Sequence, residues 1–243
     1  MFNTQHILYM VISGLLTAAL LVWAGRFLKE ENKKCQFLKF FALITVAIHY
    51  SNLWVEYFAN GGRVEVENNH ILPVYPCNVV MWMLLAAAFM KNKQGVLFQM
   101  LGEFCFIVGF FCSALGIALN VNFDHNPTLA NYSVLKGLLS HSTMLVGCLY
   151  MRVGGFIRIR MFNVVSVAAG LAVFVACGLG VNALYDAFGL TAPDGMFLRE
   201  NPYVPIPTVI LGIGFILFVF LCLHLAELRL PKEQRWYRKK KVR

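Results

Sequence analysis

Seven long apolar runs partition this chain, and they constrain its fold more than any other feature. A bilayer core about 30 Å thick is crossed by about 20 apolar residues in helical conformation. Runs of that order lie near residues 6–28, 38–58, 73–91, 97–119, 133–152, 161–184 and 206–228. Turn-forming residues punctuate the gaps, as in Ala59-Asn60-Gly61-Gly62, Asn126-Pro127 and Asn201-Pro202. The chain is 59% hydrophobic and only 14% charged, with a mean hydropathy of +0.65. A soluble domain could not cover its surface with so few polar groups. The expectation is an all-α polytopic membrane protein with seven transmembrane helices over residues 1–229, followed by a basic tail over 230–243. The first run lacks a basic leader segment and a small-residue cleavage site, so it reads as a retained helix.

The basic residues then set an orientation. With an odd number of helices, all of the 21 Lys and Arg except Arg63, Lys136 and Arg199 fall on one side. Cytoplasmic loops carry that excess, which puts the N-terminus outside and the C-terminus in the cytoplasm. The formal charge of +9 is explained by these clusters rather than by nucleic acid, for which no other signal exists. The tail segment Arg238-Lys239-Lys240-Lys241 suits anionic lipid headgroups, each basic residue contributing about 1 kcal/mol near such a surface. Membrane lipids are therefore the expected partners.

Polar side chains inside apolar runs are costly, and each is a candidate for function. On the expected topology, Glu56 lies near the outer end of the second run, with Asn52 and His49 deeper by roughly 6 and 10 Å at the helical rise. Cys77 and Asn78 open the third run, His141 lies in the fifth, and Asn120 and Asn182 close the fourth and sixth. The ordinary reading of any single Asn is helix packing, at perhaps ~0.6 kcal/mol per interhelical hydrogen bond. Glu103 and Asn163 come early in their runs, where a polar side chain can snorkel to the interface.

Chemistry asks for more than polarity, and two residues offer it. The chain has seven cysteines, with no CxxC pair and no His/Cys metal-ligand spacing. No metal or cofactor is signalled. Cys77 alone falls in the first turn of an expected helix, after Pro73 and Pro76, where unpaired N–H groups favour a thiolate. His141 differs from it in depth by roughly 6 Å at the helical rise, which side-chain length and tilt could close. The pair has the makings of a nucleophile and its base, with an amide such as Asn120 or Asn182 orienting the imidazole. A buried cysteine that merely packs is the competing reading.

Several segments carry a resemblance. His70-Ile-Leu-Pro-Val-Tyr-Pro-Cys77-Asn78, Ser113-Ala-Leu-Gly-Ile-Ala-Leu-Asn120, Leu139-Ser140-His141, Asn182 and Met196-Phe-Leu-Arg-Glu-Asn-Pro202 resemble, in order and spacing, the YwaF-like family of bacterial integral membrane proteins. That family looks distantly related to eukaryotic TMEM-type phospholipid acyltransferases and to androgen-induced-gene type lipid hydrolases. The resemblance implies a nucleophile at Cys77, in a Leu-Pro-x-x-x-Cys pattern, and an essential histidine at His141. The hydrolase relatives use Thr at the nucleophile position, so Cys77 implies a thioester intermediate. The segment Asn120 to Pro127 departs from the family pattern by what looks like an insertion.

The leading functional expectation is thus acyl transfer or hydrolysis on phospholipid acyl esters near the outer leaflet. His49, Asn52, Glu56, Asn78, Asn120 and Asn182 are the expected substrate-binding groups. A transporter or solute-binding protein with a polar cavity lined by His49, Asn52, Glu56 and His141 is the alternative, although repeated halves and broken helices are missing. A receptor or membrane scaffold is the third, resting only on helix number.

Overall fold

A computed structural model describes residues 2–59, 61–62, 72–120, 123, 127–189, 194–200 and 204–230, with the side chain of Glu56 excepted. The regular structure among them is helical throughout. Six helices are long and apolar enough to cross a membrane: α1 (Thr4–Phe27), α2 (Glu31–Ala59), α4 (Val96–Ala118), α5 (Tyr132–Val153), α6 (Asn163–Phe188) and α7 (Thr208–Leu228). The protein is a multi-pass integral membrane protein.

The run at 73–91 does not make the expected seventh span. Its helix, α3, covers only Pro76–Phe89, 14 residues, or about 21 Å at the helical rise against a core of about 30 Å. Two local causes shorten it. Pro76 occupies the first turn, and Tyr75 before it is extended at φ −104 and ψ 152, as a residue preceding proline tends to be. At the far end Met90 leaves the helix with ψ 132, and Lys93 Nζ donates to the carbonyls of Ala87 and Ala88 at 2.8 and 2.9 Å. Lys93 thus satisfies two of the terminal acceptors left by the helix. Six crossings are an even number. The parity that put the N-terminus outside and the C-terminus in the cytoplasm falls with the seventh span, and so does the outer-leaflet placement of the expected chemistry that rested on it.

Helix α5 is the centre of the bundle. It packs most extensively on α2 and on the second half of α4, and it also touches α1 and α3. Its most apolar window is 50% buried inside the protein, against 11% for α7. Peripheral helices instead turn leucines outward, among them Leu15, Leu16 and Leu217. Such faces suit lipid, which solvates them as the interior would.

Close approach of α4 and α5 depends on glycines at seven-residue spacing. Gly102 faces Ile157 and Met151, Gly109 faces Cys148 and Val80, and Gly116 faces His141. Contacts that descend in number on α5 as they rise on α4 make the two helices antiparallel. Small residues at such seams let backbones approach and raise dispersion contact where no hydrophobic force operates. Between Glu103 and the second half of α4, residues Cys105–Gly109 form a π-helical segment. The Ser113 hydroxyl donates to the Gly109 carbonyl at 2.6 Å, at the end of that segment.

Polar ties complete the seams. Thr45 Oγ1 donates to Thr143 Oγ1 at 2.9 Å between α2 and α5, and Tyr9 and Ser142 hydroxyls meet at 2.9 Å between α1 and α5. His6, fully buried, donates from Nε2 to the Ile117 carbonyl at 2.8 Å and stacks on Phe123. That pins the start of α1 to the end of α4.

Candidate functional site

The beginning of α3 is where the expected site residues gather. Cys77 follows Pro76 in the first turn, and its Sγ donates to Asn78 Oδ1 at 3.4 Å. Asn78 Nδ2 donates in turn to His49 Nε2 on α2 at 3.2 Å. An amide nitrogen only donates, so His49 Nε2 is the acceptor and its proton sits on Nδ1. Asn78 and Asn52 are both buried, which keeps this group of polar side chains away from bulk lipid.

His141 approaches from α5. Its Nδ1 donates to the Gly137 carbonyl at 2.8 Å, so the neutral ring carries its proton there and Nε2 is the unprotonated nitrogen. The Cδ2–Nε2 edge of the ring lies against the α-carbon of Gly116: a Cβ at Gly116 would fall 2.0 Å from Cδ2 and 2.2 Å from Nε2. Only glycine leaves room for the imidazole.

The helix register then relates the two groups. Val80 faces Gly109 across the α3–α4 seam, so Cys77, three residues earlier in α3, comes level with the turn of α4 that holds Cys112. His141 faces Gly116, one turn further along α4, which is an axial offset of about 5.4 Å. Among the described residues, Cys77 and His141 are not hydrogen-bonded to each other.

The other expected residues have different company. Asn120 Oδ1 accepts from the Phe123 N–H at 3.1 Å and closes the turn after α4. Asn182 Oδ1 accepts from the Gly195 N–H at 2.7 Å, while its Nδ2 donates to Asp194 Oδ1 at 3.2 Å. It therefore holds a short strap, residues 194–200, against α6. Asp194 Oδ2 also accepts the Arg199 and Glu200 N–H groups, each at 2.7 Å. The strap reaches the α3 end of the site through Met196, whose N–H donates to the Val74 carbonyl at 2.7 Å. Met196 and Phe197 hold left-handed conformations at φ 57 and 54, uncommon for such side chains. The side chain of Glu56, and the tail beyond Leu230, lie outside the described residues.

Glu103 and Asn163 do not snorkel. Both are buried, with Glu103 accepting from the Ser166 hydroxyl between α4 and α6, and Asn163 Oδ1 accepting from the Arg160 N–H. Asn163 Nδ2 has no hydrogen-bond partner among the described residues. An interface position read from linear depth says nothing of which helix face points inward, and here the inward face won.

Sequence reasoning passed over Gly116 and Cys112. Gly116 was signalled by its place in the Gly102, Gly109 and Gly116 series. Cys112 had no signal of its own, because its place beside the site comes from neighbours on other helices. Among the described residues, no three His, Cys, Asp or Glu side chains converge as metal ligands.

Comparison with known proteins gives a family but no characterised counterpart. No curated protein and no solved structure matches the chain. Residues 1–230 match the TMEM164 family, so nearly the whole chain, from before α1 to the end of α7, is covered, and the protein belongs to the TMEM164 family.

Proposed function

We propose that this protein transfers acyl groups of membrane lipids through a thioester on Cys77, with His141 as the base. The observation that carries the reading is a thiol in the first turn of α3 that lies, by helix register, about one turn along α4 from an imidazole whose Nδ1 is tied to Gly137 and whose Nε2 is therefore the unprotonated nitrogen. Further support is the YwaF-like resemblance, with its Leu-Pro-x-x-x-Cys pattern at Cys77.

In the reaction, His141 Nε2 takes the Cys77 proton as Sγ bonds to the ester carbonyl carbon. Collapse of the tetrahedral intermediate breaks the ester C–O bond, and the imidazolium gives its proton to the departing alkoxide. A lipid hydroxyl or water then attacks the thioester, losing its proton to His141, and the C–S bond breaks as the thiol is reprotonated. Asn78 and His49 hold the thiol before reaction, and N–H groups at the start of α3 stabilise the oxyanion. Asn52 and Glu56 belong to the polar surroundings of the substrate in this reading, and Asn120 and Asn182 support the backbone around it. The basic tail from Arg229 onward anchors to anionic headgroups. A solute-transporting role is less well supported, because the cavity of about 550 Å³ that reaches α3 at Pro76 is apolar and is lined by neither His49, Asn52 nor His141.

The test is labelling of the purified protein in lipid vesicles with a thiol-directed, lipid-like ester probe, alongside assay of acyl transfer. Label on Cys77 that disappears in His141→Ala, with transfer lost in Cys77→Ala while the protein stays folded, is the expected result. Unchanged transfer in folded Cys77→Ala overturns the reading.

A further inference from the structure

A cavity of about 550 Å³ lies between the second half of α4, α6 and α7. Met196 and Leu198 of the strap close one side, and Pro76 forms part of the wall next to Cys77. Its lining is apolar apart from Cys112 and Thr208, and the Thr208 hydroxyl is already donated to the Phe197 carbonyl. Water would find too few partners there. The volume is in the range of small-molecule sites, roughly 300–1,000 Å³.

Continuity with the polar site gives the cavity its meaning. Cys112 lines it and, by the register of Val80 against Gly109, stands level with Cys77. Pro76 lines it from the residue adjoining Cys77. The lining extends from Thr208 to Phe218 on α7, about 15 Å at the helical rise, is apolar over that length, and includes Pro76, the residue before Cys77. The occupant that fits is elongated, wholly apolar over most of its length and polar at one end.

We infer that this cavity holds one hydrocarbon chain of a membrane lipid, with the ester of that chain at the Pro76–Cys77 end. The position of the ester rests on the acyl-transfer reading, whereas the chain site rests on the cavity itself.

Two glycines on α7 provide the test. Gly212 lines the cavity and Gly214 does not, yet a Cβ at either position meets nothing within 4 Å. Gly212→Trp therefore fills the cavity, and Gly214→Trp places the same bulk elsewhere. The full-length protein is placed in phosphatidylcholine vesicles containing a phosphatidylcholine with a mid-chain diazirine, photolysed, and its labelled peptides are mapped. Labelling should concentrate on the cavity walls around Phe111–Leu115 and Leu171–Val175. It should fall several-fold in Gly212→Trp, stay at the wild-type level in Gly214→Trp, and persist in Cys77→Ala. Ala172→Trp, on the opposite wall, repeats the blockade should Gly212→Trp not fold. Labelling spread evenly over outward faces such as that of Leu15 and Leu16, or indifferent to the blockade, means annular lipid only and overturns the inference. Cavity labelling with Cys77-independent transfer overturns the catalytic reading and leaves the chain site standing; Cys77-dependent transfer with labelling indifferent to the blockade does the reverse.

Discussion

Replacing Gly116 with Ala tests the seat of His141 with a single methyl group. The new Cβ would lie 2.0 Å from the ring, where ordinary contact begins at 3.4 Å, so ring or helix must give by about 1.4 Å in a seam packed to interior density. Overpacking of this kind costs about 1–3 kcal/mol. Against it stands the helix preference for Ala over Gly, about 1 kcal/mol at most. The net expectation is a destabilisation of about 0–2 kcal/mol, small enough for the bundle to fold. Activity should suffer more, because misplacing a catalytic group by about 1 Å can cost on the order of 100-fold. Gly180→Ala is the matched control: it lies in helix α6, and its added Cβ meets nothing within 4 Å. Thermal unfolding in detergent and acyl transfer in vesicles are measured for both variants. The decisive comparison adds His141→Ala, since in that background the methyl group has no ring to displace and Gly116→Ala should lose nothing further. If Gly116→Ala behaves like Gly180→Ala in both assays, the imidazole is not seated against α4 and the geometry behind the base assignment is wrong.

Other consequences follow from named contacts. Asn182→Ala removes the buried acceptor of the Gly195 N–H and should lower stability by about 1–3 kcal/mol, read as a drop in melting temperature with faster proteolysis at residues 194–200; an unchanged profile would mean the strap is held elsewhere. Lys93→Ala strips the carbonyl partners from the end of α3 and should cost about 0.5–2 kcal/mol, the scale of a lost helix cap, visible as faster amide exchange around Ala87–Met90. Gly170→Val drives a side chain into the Phe104 ring, which lies 2.0 Å from a Cβ there, and should cost about 1–3 kcal/mol, measured by thermal unfolding beside Gly180→Val. Arg199→Ala breaks a pair with Asp186 that is exposed at both ends, and should shift stability by under about 1 kcal/mol and less still in high salt; a large effect would show that the pair is shielded.

The six spanning helices are legible in the linear sequence because lipid imposes a rule on each segment separately: it must be long, apolar and internally hydrogen-bonded. Six runs meet that rule and match helices within a few residues at most ends. The seventh fails on features that hydropathy does not weigh, namely the conformation imposed by Pro76 on Tyr75 and the early cap from Lys93. The parity argument for orientation falls with it.

The candidate site divides in the same way. Chemistry singles out Cys77, and helix capping rules place it in a first turn, both from local sequence. The link from Asn78 to His49, the glycine seat of His141, the commitment of Asn182 to the strap and the burial of Glu103 belong to the fold alone. Transfer energies and capping preferences act on one residue and its near neighbours, so a linear reading reaches them. Which faces of two helices meet depends on close packing along the whole seam, and that is decided by side chains far apart in the chain. The apolar runs thus tell that this protein lives in lipid and roughly where it crosses, while only the packing of α4 against α3, α5 and α6 determines which thiol, which imidazole and which cavity share a neighbourhood.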